Sequence, residues 1–144
     1  MTFRHPVHPE AADKRFRVWV SLINRELYGV RWARHGDGIW WARALEWQRR
    51  DVVHYHALLG GAGLDALRRL SWMDAWTELA GWARIEPPRA GDAVRGYVSK
   101  YVVKDDAGGE LDLGGRLSLS AAELEQTHLE LVIAAGASPL ETCS

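Results

Sequence analysis

At 144 residues, 47% apolar and 26% charged, the chain has room for one domain with a real core and is too short for two. Its single cysteine, Cys143, has nothing to pair with, which excludes an internal disulfide framework and fits a reducing cytoplasm. The formal charge of -1 hides an asymmetry: residues 1–104 hold 17 Lys/Arg against 11 Asp/Glu, a balance of +6, while residues 105–144 hold one Arg and eight acids.

No stretch approaches the ~20 apolar residues of a membrane span, and Met1-Thr-Phe-Arg-His-Pro has no apolar signal core, so a soluble, unexported protein is expected. In chain order, Phe16, Trp19, Val20, Ile23 and Leu27 recur at helical spacing between Glu10 and Leu27, which predicts a first helix ending before Tyr28-Gly29. Residues 30–34, 39–48 and 52–59 are rich in Trp, Val and Ile, and two polar turns separate them. Three adjacent antiparallel strands are predicted there. Gly60-Gly-Ala-Gly63 breaks the pattern, and Leu67, Leu70, Trp72 and Trp76 place a second helix over 64–80. A short strand over 83–86 stops at Pro87-Pro88, and Asp92 can cap a third helix running to about Lys104. An apolar strip follows over 111–119, then Ser120-Ala-Ala-Glu123, a capping box before a last helix. The predicted class is α+β, an antiparallel central sheet flanked by helices, with residues 1–115 as the domain and 116–144 as an acidic helix and tail.

Two segments carry the chemistry. In His54-Tyr55-His56 the imidazoles lie two residues apart on a strand, on one face and about 6.6 Å along it, with Tyr55 pointing the other way. Alone, such a pair is weak evidence, since strand histidines are often satisfied by hydrogen bonds. Glu46, near the end of the preceding strand and joined by a tight turn, can reach the same face. Two imidazoles and one carboxylate suit Mn²⁺ or Mg²⁺, with water completing the shell. Tyr97, Lys100, Tyr101 and Lys104 fall at i, i+3, i+4 and i+7 of the predicted third helix. Val94, Val98 and Val102 make its buried stripe, Tyr101 borders that stripe, and Tyr97, Lys100 and Lys104 turn toward solvent. A phenol between cations ionises more readily, and a phenolate attacks phosphorus, so Tyr97 is the first candidate nucleophile.

At these residues the chain resembles the HUH endonucleases, and among them the two-tyrosine initiators of rolling-circle replication. Glu46, His54-Tyr-His56 and Tyr97-Val-Ser-Lys100-Tyr101 are similar to that family's second and third motifs in order and spacing. The resemblance implies a five-stranded antiparallel sheet, a divalent metal on His54 and His56 with Glu46 as third ligand, and Tyr97 and Tyr101 as alternating nucleophiles. Lys100 would position the tyrosine or the phosphate. It implies nicking of single-stranded DNA at a replication origin, a 5′-phosphotyrosyl link and a free 3′-hydroxyl that primes synthesis. With no helicase domain in the sequence, strand separation would fall to a host helicase or to supercoiling.

The resemblance covers roughly residues 1–115 and departs at the start. Family members open on a central strand reading something like Phe-x-Thr-Leu-Thr-Phe, where this chain has only Met1-Thr-Phe3, so most of that strand is expected to be missing. Three rival readings follow: a single-tyrosine HUH transposase, a non-catalytic DNA-binding remnant, and a ferredoxin-like domain with accidental histidines. The last requires Glu46 to point away from His54 and His56. Trp40, Trp41 and Trp47 lie on the strands near the proposed metal face, where exposed ones could stack on unpaired bases and buried ones would be core.

Overall fold

A computed structural model of the chain describes residues 1–48, 51–87 and 111–115. Pro9 opens helix α1 (Pro9–Tyr28), where a missing N–H costs nothing, and Gly29 closes it at φ 82°, its N–H donating to the Arg25 carbonyl at 3.0 Å. Phe16, Trp19, Val20 and Ile23 are its buried face, as their spacing predicts. The chain then leaves the helix through a series of turns over residues 30–36, where a strand over 30–34 is expected. Arg34 and His35 both donate to the Arg31 carbonyl, and Asp37 donates to Trp32. Aromatic content there misleads, because the backbone bonds close locally and Val30 lies 71% exposed. Asn24, buried on α1, accepts from Ile39 N–H at 2.8 Å and so fixes the entry into the sheet.

Strands β2 (Trp40–Trp47) and β3 (Val53–Gly60) form the antiparallel hairpin predicted for them, paired from Trp40↔Gly60 to Trp47↔Val53. At the turn, Gln48 donates to the Val52 carbonyl and Asp51 adopts φ 55°. The predicted second helix is split in two. A 3₁₀ turn (Leu64–Ala66) comes first, and α2 (Arg69–Leu79) starts only after the chain extends at Leu67 and Arg68. The strand expected over 83–86 lies earlier, as β4 (Gly81–Trp82), and β5 (Leu111–Gly114) is the first part of the predicted apolar strip. The third helix over 92–104 and the acidic helix and tail over 116–144 lie outside the described residues.

Among the described residues the sheet has five strands, all pairs antiparallel, in the order β4-β1-β3-β2-β5, where β1 is Thr2–Phe3. The opening strand, most of which is expected to be missing, is present as a short inner strand. Two residues occupy that place, Thr2 pairing with His54 on one side and Trp82 on the other, while the Met1 carbonyl accepts from Tyr55 N–H at 2.8 Å. The chain is therefore α+β, as expected, and residues 1–86 and 111–115 belong to one compact unit.

Alternation along the strands separates two faces. The inner face presents Phe3, Trp41, Val53 and Tyr55 to α1 and α2, where Phe16, Trp19, Trp72 and Trp76 complete an aromatic core. Edge-to-face contacts run through it, with Phe3–Trp76 centroids at 5.3 Å and Phe16–Trp41 at 5.1 Å. Within it lies the buried cation Arg43, which bonds Asp13 of α1 at 2.6 Å and Asp112 of β5 at 2.7 Å. No described helix is long and apolar enough to cross a membrane.

Gly81 explains why so short a strand can hold its place. A Cβ there would overlap the Thr2 carbonyl oxygen and crowd the Arg4 nitrogen, both backbone atoms that cannot swing aside. Gly81→Ala is expected to cost about 2–3 kcal/mol, the scale of overpacking in a closed site. Urea unfolding measures it, and a loss below about 1 kcal/mol would show that β4 is not held against β1.

Candidate metal centre

The outer face of the sheet carries the polar cluster. His54 and His56 alternate with buried Tyr55 along β3, so both rings stand on the face opposite the core. The hairpin register sets Glu46 of β2 directly across from His54 and diagonal to His56. The His56 Nε2–H donates to Glu46 Oε2 at 3.0 Å, and the two imidazole centroids are 4.6 Å apart. This pair is open to solvent, its side chains 30% and 46% exposed, so as an ion pair it contributes under about 1 kcal/mol. Glu46 therefore points toward the histidines, the opposite of what the accidental-histidine reading needs.

His54 is held from the other side. Its Nδ1 shares a hydrogen bond with the Thr2 hydroxyl at 2.6 Å and lies 3.2 Å from Gln48 Nε2. Burial pulls its pKa down to about 4 from an ordinary 6.5, reinforced by the positive Met1 amine and His56 and opposed by Glu46. A neutral imidazole at neutral pH keeps a lone pair, which is what a ligand requires.

The sign of the resulting pH dependence is fixed. Between pH 6.5 and 4 the unfolded chain takes up a proton at this histidine that the folded chain resists, so stability falls as pH drops through that window. Denaturation midpoints across it are expected to shift less in His54→Gln than in the parent, and parallel profiles would show that His54 titrates normally in the fold.

The spacing of the donor atoms suits a cation in part. In an octahedral shell with bonds of about 2.1 Å, neighbouring ligand atoms lie roughly 3 Å apart, which matches the 3.0 Å between His56 Nε2 and Glu46 Oε2. A cation could replace the proton that now joins them. The third donor is not yet closed on that point: among the described residues no three His, Cys, Asp or Glu side chains form a ready metal group, and the His54 Nδ1 is committed to Thr2 and Gln48. With Nδ1 engaged by Thr2 and Gln48, Nε2 is the ring nitrogen through which His54 could meet a cation.

Of the residues singled out in the sequence, Glu46, His54 and His56 are brought together. Tyr97, Lys100 and Tyr101 lie outside the described residues, as does Lys104. Trp41 belongs to the core at 2% exposure, while Trp40 packs over Gly60 on the outer face and Trp47 is exposed at the strand end. Thr2 and Gln48 were missed. Thr2 belongs to the opening strand expected to be mostly missing, and Gln48 has no signal beyond its place at the strand end. No family model matches the chain, and no curated protein or solved structure matches it either.

Proposed function

We propose that the chain is a metal-dependent endonuclease and strand transferase that nicks and rejoins single-stranded DNA through tyrosine, in the manner of a rolling-circle replication initiator. The observation that carries this reading is the convergence of Glu46, His54 and His56 on one open sheet face, with Glu46 in contact with His56. Glu46 and His56 would hold Mn²⁺ or Mg²⁺ as they stand, joined by His54 through Nε2. Bound there, the cation would draw charge from a phosphate oxygen and make phosphorus more electrophilic.

The chain's own groups do the rest. Thr2 and Gln48 orient His54, and the solvent-open edge at Glu46 and His56 admits a phosphodiester. Tyr97 supplies the attacking oxygen: its Oη–P bond forms as the P–O3′ bond breaks, the phenol proton is lost, and the 3′-oxygen gains one. Lys100 favours the ionised phenol, and Tyr101 is the nucleophile for the second transfer, which rejoins the ends. The basic balance of residues 1–104 favours the phosphate-rich substrate. Origin DNA would be the specific partner, with a host helicase opening the duplex.

The test is covalent capture. The full chain is incubated with end-labelled single-stranded DNA of mixed sequence and Mn²⁺, then run on a denaturing gel beside Tyr97→Phe and Tyr101→Phe. A protein-linked 5′ product that disappears in one variant establishes the reaction and names the first nucleophile. Binding with no adduct on any DNA would assign the chain to the non-catalytic DNA-binding class.

A further inference from the structure

Beside Trp40, which packs over Gly60, the outer face carries a second large aromatic residue that the core does not use. Trp82 of β4 is 59% exposed, while Gly81 before it and Ala83 after it are buried. Exposure alone would carry nothing, since single apolar residues commonly sit on surfaces. Its register does. Trp82 pairs across the ladder with Thr2, Thr2 pairs with His54, and His54 pairs with Glu46. Residues directly opposite one another in antiparallel strands share a face, so Trp82, Thr2, His54 and Glu46 form one transverse row on four neighbouring strands. At about 4.8 Å per strand, Trp82 lies about 10 Å from His54 along that row.

A row of this kind sets a flat π surface at one end and a phosphate-directed cluster at the other. That is the combination by which unpaired nucleic acid is held: bases stack on aromatic rings while the backbone meets charge. The backbone that carries the ring is held in place. β4 pairs with β1 at Thr2↔Trp82 and Phe3↔Gly81, and Arg4 N–H donates to the Ala80 carbonyl at 2.9 Å just before the strand. Duplex DNA offers no free base face to such a ring, so the ligand chemistry is that of a single strand.

We infer that Trp82 is the stacking platform for one unpaired nucleobase of single-stranded DNA, next to the phosphate that the His54, His56 and Glu46 cluster receives. The inference rests on the proposed reading for its ligand, and it adds the residue that grips the base.

Fluorescence anisotropy of a labelled single-stranded oligonucleotide, with the full chain in EDTA, tests it without requiring cleavage. Trp82→Ala is expected to weaken binding about five- to a hundredfold, and Trp82→Tyr to keep most of the affinity. Both should melt with the parent, because the ring is exposed. A series of oligonucleotides with one abasic position moved along the strand separates stacking from general contact. One position should weaken the parent and leave Trp82→Ala unaffected. Equal binding by the parent and Trp82→Ala overturns the platform, as does an abasic penalty that persists unchanged in the variant. A parent equally tight on duplex, or a Trp82→Ala change seen only in self-association, also overturns it. Trp82-dependent binding with no adduct in Mn²⁺ would leave the platform standing and remove the nuclease. An adduct formed by a chain indifferent to Trp82 would do the reverse.

Discussion

Replacing both His54 and His56 with alanine is expected to lower adduct formation in Mn²⁺ by about a thousandfold, the rate equivalent of several kcal/mol of lost charge stabilisation at phosphorus. Glu46 would remain as a lone exposed carboxylate, and one carboxylate with water does not hold such a cation against solvent. Metal linkage gives a second readout that needs no DNA. At a hundred times its dissociation constant, Mn²⁺ should stabilise the parent by about 2.7 kcal/mol, and the double variant not at all. The rings stand on the open face, so without metal the variant should unfold within about 1 kcal/mol of the parent. An adduct at the parental rate in the double variant would refute the assigned metal ligands.

The largest expected loss of stability comes from Arg43→Ala, about 3 kcal/mol by urea unfolding. Arg43 is 6% exposed and lies over Tyr55 and Phe16, its guanidinium carbon 4.4 and 4.6 Å from the ring centroids. Its Nη2 bonds both Asp13 and Asp112, while the buried Nη1 finds no hydrogen-bond partner among the described residues. The ring faces offset part of that deficit. Arg17 joins the same pair of carboxylates, bonding Asp13 at 2.8 Å. Burial raises the pKa of Asp13, but hydrogen bonds from Arg17 and Arg43 outweigh it and hold the carboxyl below its ordinary value. Removing Arg43 leaves two neighbouring carboxylates with only Arg17 between them. Their one-third exposure keeps the cost near the lower end of the range for a broken buried pair. Arg43→Met combined with Asp13→Asn and Asp112→Asn should recover part of the loss, because no unpaired charge remains. A cost under about 1 kcal/mol for the single change would mean that water replaces the guanidinium.

What could be read from residues alone follows from where the signal is periodic. Helix α1 was legible because Phe16, Trp19, Val20 and Ile23 mark 3.6-residue turns, and the hairpin because the alternation around Tyr55 is period two. The hairpin register then made the meeting of Glu46 and His56 foreseeable. Strands of two residues have no period, so β1 was underrated and β4 was placed too late. Both depend on contacts between residues about eighty apart, with Gly81 as the local hint. Residues 30–34 failed for the converse reason: Val30 and Trp32 look strand-like, yet no strand among the described residues pairs with them. Arg43 carried no local sign of burial, because its partners Asp13 and Asp112 lie thirty residues before it and sixty-nine after.

The two-residue inner strand β1 also constrains the order in which the domain assembles. The β2–β3 hairpin closes a short loop and can form in microseconds, whereas Thr2 must wait for His54, 52 residues on, and for Trp82, farther still. On the ribosome, Thr2 and Phe3 emerge long before either neighbour exists. This inner strand, second from the edge of the finished sheet, is thus expected among the last to be seated, and the row from Trp82 to Glu46 is complete only once it has docked.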